Sequence, residues 1–367
     1  MSYNILGINL SHNSSVCVLV DGEIDFFLEE DRLSRFKHDH LPMYVLETIS
    51  SKFKIDEIFL TGIKSFYTNT NYQKPLTFIF DKFFPNIKIN SSFIENHHNH
   101  HSSISFYNSG FSKSLNVVID GGGSTLELIP NNLTTSYHEA ETLSVSEYPF
   151  IQTDIYKSHL SVGFKKVNKH KFYNPLTTLS KTYEAITSHL GFKWDEAGKT
   201  MGLSSYGKED KSLPPMYINH RGNPKVVNSK EFKESCNLNK ISPQFHKDQT
   251  QLTPYISNLA FKIQQDSQKE VGDLIEKGLK ETNLKHVCCA GGYFLNCVAN
   301  YYLIKRFPDV EFYFEPISSD AGNAIGIAKL AWHKKTQDTT IRPQKTLYYG
   351  PKYSKEDLLK GIQKYLD

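Results

Sequence analysis

Long apolar runs are missing from this chain. No window approaches a membrane span, and the opening MSYNILGINL has no basic region followed by an extended apolar stretch, so neither a spanning helix nor a secretory signal is predicted. The expected compartment is the cytoplasm. Charge of one sign is missing too: the formal net charge is +3 and the lysines are scattered rather than striped, which removes the electrostatic grounds for a nucleic-acid or membrane partner. Cysteine is sparse. The five (Cys17, Cys236, Cys288, Cys289, Cys297) show no CxxC spacing, and two sit side by side in an apolar run, so they read as reduced core residues. A Walker-type phosphate loop is also absent, because GFKWDEAGKT (191–200) separates its glycines by six residues rather than four and no apolar strand precedes the first.

What is present is enough chain, 367 residues, for two packed lobes, and an unusual concentration of imidazole. IENHHNHHSS (94–103) places four histidines within five positions. If this stretch is helical, His97 and His101 stand at i, i+4 on one face and can chelate one ion, while His98 and His100 point elsewhere. The pair lacks the glutamate of HExxH, and on this stretch alone a solvated polar loop or a chance cluster remains open.

The chain also starts twice. NILGINLSHNSSVCVLVDGEIDFFLEE (4–30) reads as strand, polar turn, β-branched strand, Asp-Gly hairpin turn, strand, and LNVVIDGGGSTLELIPNNLTTSYHEAE (115–141) repeats that order. The first strand of each copy ends on a polar group, Asn9 or Asp120; two unrelated hairpins are the alternative reading. Between the copies a helix over 42–53 and strands over 57–62 and 86–90 are predicted. After them come a helix carrying Leu179, Tyr183, Ile186 and Leu190, a polar insertion over 208–252, a long amphipathic helix over 253–280, and an alternation of strand and helix to residue 335. The fold class is α/β.

Three segments carry candidate chemistry. In IDGGGST (119–125), Gly121, Gly122 and Gly123 follow a strand ending in Asp120, so backbone N–H groups can approach a phosphate while the carboxylate holds a cation; a plain tight hairpin is the competing reading. CCAGGYFLNCVAN (288–300) offers a similar junction at Gly291 and Gly292, suited to a nucleotide. EPISSDAGNAIGIAKLAW (315–332) places Asp320 at a helix start, where simple capping is the commoner explanation. Two histidines and two such aspartates make a mixed N and O ligand set suited to iron(II), manganese or zinc.

Seven segments in order, ILGINLSHNSS, EEDRLSRFKHD, HHNHHSSISFYNSGF, VVIDGGGST, EAGKTMGLSSYGK, CCAGGYFLNCVAN and SSDAGNAIGIA, resemble the O-carbamoyltransferases related to nodulation-factor and tobramycin carbamoyltransferases, whose amino-terminal domain is similar to the universal tRNA threonylcarbamoyl-transfer protein. The resemblance implies an actin/sugar-kinase-like (ASKHA) fold: a first ribonuclease-H-like lobe over 1–112, a second over 113–345, and the start of a linker over 346–367. It implies metal ligands at His97, His101, Asp120 and Asp320, a transfer-step histidine at His12, and a lysine facing the anionic donor at Lys37. Gly291, Gly292 and Asn296 match its nucleotide-binding junction, and His98 matches a family histidine near substrate or ligands. His100 stands where the family has a small residue, and Asn13 where many relatives have an acid.

Relatives continue past LYYGPKYSKEDLL into a domain that makes carbamoyl-adenylate from carbamoyl phosphate and ATP; this sequence stops at Asp367, so the resemblance implies a partner for activation, a split or truncated gene, or a different use of the donor. The implied activity is metal-dependent transfer of a carbamoyl group from carbamoyl-adenylate, an ATP-derived nucleotide, to the hydroxyl of an acceptor. Two other readings stay open, a tRNA threonylcarbamoyl transferase and a catalytically silent nucleotide-binding subunit.

Overall fold

The computed structural model describes residues 2–62, 70–91, 96–126, 135–163, 165–167, 170–172, 178–213, 215–217 and 254–366. The first sheet is built from β1 (Asn4–Leu10), β2 (Ser15–Val20), β3 (Glu23–Glu29), β4 (Glu57–Gly62) and β5 (Lys88–Asn90), in the order β3-β2-β1-β4-β5. β1 pairs antiparallel with β2, and β2 with β3, while β4 lies parallel to β1 and β5 parallel to β4. Near-continuous apolar runs in β1, β2 and β4 fit strands buried on both faces. One face is covered by α2 (Met43–Ser50) and α3 (Thr70–Phe83); a short α1 (Asp31–Ser34) precedes them.

The second sheet repeats the plan. Its strands are β6 (Lys113–Ile119), β8 (Thr135–Glu147), β9 (Ile151–Gly163), β12 (His286–Ala290) and β13 (Glu311–Phe314), in the order β9-β8-β6-β12-β13, with a two-residue β7 (Thr125–Leu126) on the free part of β8. The pairings β6–β8 and β8–β9 are antiparallel; β6–β12 and β12–β13 are parallel. One order of antiparallel and parallel strands occurring twice is the actin/sugar-kinase-like arrangement of two ribonuclease-H-like lobes. The double start is therefore a real duplication, with one correction. The TTSYHEAE segment is the first half of β8, which is the second strand of the second copy; the third is β9, beyond the segment read from the sequence, while Thr125–Leu126 pairs with the start of β8 and residues 127–134 lie outside the described residues.

The remaining elements are a small hairpin of β10 (Lys165–Val167) and β11 (His170–Phe172), then α5 (Leu179–His189), α6 (Ala197–Ser204), α7 (Pro254–Thr282), α8 (Cys297–Arg306), and α10 (Lys355–Gln363), which buries none of its residues. α5 and α7 close the second core over β6 and β12, bringing Leu179, Tyr183, Ile186 and Leu190 together as their spacing predicts. Most of the insertion expected over 208–252, and Cys236 with it, lies outside the described residues. Cys17, Cys288 and Cys289 are buried free thiols, but Cys297 is exposed, a correction with a simple cause: α8 turns Ala299 and Leu303 inward and leaves its first residue on the outer face.

Two helices cross between the halves. α4 (His97–Ser109) follows the first sheet in sequence but packs on β6 and β12, and α9 (Asn323–Thr336) follows the second sheet but packs on β1, β2 and β4. They meet along their lengths. A Cβ built on Gly326 of α9 would lie 2.2 Å from the carbonyl oxygen of His100, so only glycine permits this approach.

Candidate metal centre

Imidazoles from the start of α4, the Asp120 carboxylate at the carboxyl end of β6 and the Asp320 carboxylate in the short turn that leads into α9 meet where the two helices begin. Four histidines in a buried helix need anchoring. The backbone N–H of His97 donates to Ser124 Oγ at 3.0 Å, and Glu139 Oε2 accepts from the backbone N–H of Ser124 at 3.0 Å and of His98 at 3.4 Å. A carboxylate at a helix N-terminus also complements the helix dipole. Burial opposes the charge on Glu139, but His98 and Lys157, whose Nζ is 2.8 Å away, outweigh it and pull the pKa down to about 2.

His97, His101, Asp120 and Asp320 each offer one donor atom, and these four atoms lie within 4.8 Å of one another. His97 Nε2 is 3.2 Å from His101 Nε2, 3.4 Å from Asp120 Oδ2 and 3.4 Å from Asp320 Oδ1; His101 Nε2 is 3.6 Å from Asp320 Oδ1. All four residues are buried. Burial works against charge on His97, yet Asp320 and Asp120 prevail and hold its pKa well above the ordinary histidine value. Burial likewise opposes ionisation of Asp320, and His97 and His101 drive its pKa well below the carboxylate range; Asp120 is lowered in the same way. Two imidazole nitrogens facing each other with no apolar filler, beside two carboxylates, fit a divalent cation of borderline hardness. The other ring nitrogens, His97 Nδ1 and His101 Nδ1, are buried with no hydrogen-bond partner among the described residues, and the Nε2 atoms are the ones that converge.

The neighbouring histidines point elsewhere, as their spacing requires. His98 Nδ1 is 2.8 Å from Thr142 Oγ1, and burial pushes its pKa down to about 3. His100 Nδ1 lies 2.5 Å from Thr61 Oγ1 at the end of β4, so this residue ties α4 to the first sheet.

His12, in the turn between β1 and β2, brings the first lobe to the centre: its Nδ1 is 3.5 Å from Asp320 Oδ2, and its side chain is 40% exposed, open to an incoming ligand. Lys37 is on an exposed loop, with no partner among the described residues. Its neighbour His38 is the side chain turned inward, with ring centroids 5.9 Å from His12 and Nε2 3.4 Å from Asp195 of the second lobe.

The glycines divide into two groups. Gly123 donates its N–H to the Glu139 carbonyl at 2.7 Å, Gly291 to Ser318 at 3.0 Å, and Gly292 to Asp120 Oδ1 at 3.1 Å. Gly291, with φ +98° and a would-be Cβ 2.4 Å from the Ile119 carbonyl oxygen, fits no other residue; with Gly292 it steers the Asp120 carboxylate. The N–H groups of Gly121 and Gly122 have no partner among the described residues. Asn296 caps α8 by accepting from the N–H of Ala299 at 3.0 Å, and its Nδ2 donates to Gln264 at 2.9 Å, so it shapes the junction from within. Sequence reasoning missed Glu139, Lys181, Glu184 and Asp195. None carries a local signal, because each meets the centre only through the fold.

Residues 59–329 match the family model for the carbamoyltransferase N-terminus. The chain belongs to this family. It is 25% identical to an uncharacterized protein of Synechocystis, over 98% of this chain and 63% of that protein, and 23% identical to the nodulation protein NolNO of Sinorhizobium fredii, over 93% of this chain and 49% of that one. It thus spans about half to two thirds of the length of these relatives. Full-length HypF, solved in a phosphate- and nucleotide-bound form, superposes with a TM-score of 0.57 at 15% identity, covering 91% of this chain and 56% of HypF, a likeness of fold. Among the described residues no helix is long and apolar enough to cross a membrane.

Proposed function

We propose that this lobe pair transfers a carbamoyl group from carbamoyl-adenylate to the hydroxyl of an acceptor, with one divalent ion, iron(II) before manganese or zinc, held by His97, His101, Asp120 and Asp320. The observation that carries the reading is the convergence of four buried donor atoms within 4.8 Å beside a half-exposed His12 from the opposite lobe. The ion would supply Lewis acidity where negative charge builds on the reacting carbonyl. Asp320 orients His12 through Nδ1, leaving Nε2 to accept the proton of the attacking hydroxyl. The acceptor oxygen bonds to the carbamoyl carbon, the bond from that carbon to the phosphate oxygen breaks, and AMP leaves. The N–H groups of Gly121 and Gly122, without a partner among the described residues, suit the donor's phosphate, and the surface formed by Gly291, Gly292 and Asn296 its adenosine.

Carbamoyl-adenylate reaches this site ready-made, from an activation domain or a separate protein that consumes carbamoyl phosphate and ATP. The test is to supply carbamoyl-adenylate with a panel of hydroxylated acceptors and to follow the mass gain of one carbamoyl group. His12→Asn is expected to slow transfer by about 10²–10⁴-fold while leaving nucleotide binding nearly unchanged. Transfer by this variant at the wild-type rate would move the base elsewhere, and no product from any pair with metal bound would favour a non-catalytic nucleotide-binding role.

A further inference from the structure

Lys181 and Glu184, one turn apart on α5, stand against the glycine turn although they are some sixty residues away in sequence. A Cβ built on Gly121 would lie 2.9 Å from Glu184 Oε1 and 3.4 Å from Lys181 Nζ. The two side chains pair at 2.7 Å, and the ammonium is also 5.8 Å from the centroid of the Trp194 ring, which is 57% exposed. An ammonium has three N–H donors, and Glu184 accepts one of them. Lys181 remains partly exposed. Gly121 beside it, and Gly122 next in the chain, offer the two glycine-turn N–H groups that have no partner among the described residues.

We propose that Lys181 Nζ and the N–H groups of Gly121 and Gly122 form the anion site that holds the phosphate of the nucleotide donor, with Glu184 as a positioning residue that aims the ammonium and weakens its hold. This rests on the donor being a nucleotide, as read above. It gives the cationic contact to the second lobe and not to Lys37. A spent AMP is then released readily, because Glu184 competes with it for the same ammonium.

The probes are AMP and inorganic phosphate, titrated into the full chain by calorimetry and by fluorescence. The chain has two tryptophans, and Trp332 is buried at 8% exposure, so a perturbation of the exposed one reports on this site. Saturable AMP binding, competed by phosphate, is expected in the wild type. Lys181→Met is expected to weaken it about tenfold or more, and Lys181→Arg only a few-fold, since a charge-assisted hydrogen bond is lost in the first and kept in the second. Glu184→Gln is expected to tighten it, an opposite sign that a merely structural role for the pair would not give. Equal affinity in wild type and Lys181→Met, or no saturable binding of either probe to the wild type, would overturn the proposal. AMP binding that depends on Lys181 without any carbamoyl transfer would instead leave the anion site standing and remove the transfer reading.

Discussion

α4 and α9 occupy equivalent places, each leaving one sheet to pack on the other, yet opposite means hold them. α9 is placed by volume: Ala324, Ile325, Ile327, Ala328 and Ala331 pack into Ile5, Cys17, Leu19 and Phe59 of the first sheet, with small residues setting the spacing. α4 is placed by direction. Its buried residues include Ser102, Ser103, Ser105 and Asn108, and its polar hold on the second sheet adds to the His98 contacts with Thr142 and Glu139 the side chain of Asn116, which donates to the Ser102 carbonyl at 3.2 Å and to Ser146 Oγ at 2.7 Å. The lesson is about precision. Apolar packing fixes a helix to within what side chains can absorb, whereas hydrogen bonds fix its rotation, and the helix placed by direction carries both imidazoles.

The largest expected effect comes from spoiling the volume. Gly326→Val should cost about 3 kcal/mol or more in urea unfolding, because the new side chain meets a backbone carbonyl that no rotamer change can move. A cost under about 1 kcal/mol would show that the helices separate easily. Spoiling the direction comes next. Asn116→Leu should cost about 2–3 kcal/mol, leaving the hydroxyls of Ser114 and Ser146 short of a buried partner, and should loosen metal binding at His97 and His101 as α4 loses its rotational anchor.

The contact between the two helices has its own pH signature. Lys329 of α9 is buried and donates to Asn108 Oδ1 of α4 at 2.7 Å; burial lowers its pKa to about 8, against a partial counterweight from Glu315. A lysine with a depressed folded pKa binds fewer protons in the folded state than in the unfolded state between pH of about 8 and 10, so its contribution to stability rises with pH across that window. The stability of the wild type relative to Lys329→Met should therefore improve by on the order of 2 kcal/mol from pH 8 to pH 10. A flat difference would mean that folded Lys329 titrates like an ordinary solvated lysine, binding as many protons as in the unfolded state.

Much of this was legible beforehand. His97 and His101 share a helix face because the spacing demands it, Asp120 falls at a strand end, and Asp320 falls at a helix start. The start of β8 was legible, but its continuation and β9 were not, because most buried positions of β8 are polar: Glu139, Glu141, Thr142, Ser144 and Ser146 outnumber Ala140 and Leu143, which leaves little apolar alternation to read. The crossing of α4 and α9 is a property of topology, which local pattern does not encode. For the same reason Lys181 and Glu184 gave no sign of their place beside Gly121.

The central claim is that the two crossing helices exist to bring one ion's ligands together. Metal content per chain of anaerobically purified protein, compared between wild type and Asp320→Asn, tests it most directly. The wild type should hold about one divalent ion and the variant a small fraction of that, since a borderline cation bound by an N and O set loses much of its affinity with one carboxylate. Equal metal content in the two proteins, with the variant folded, would contradict the account.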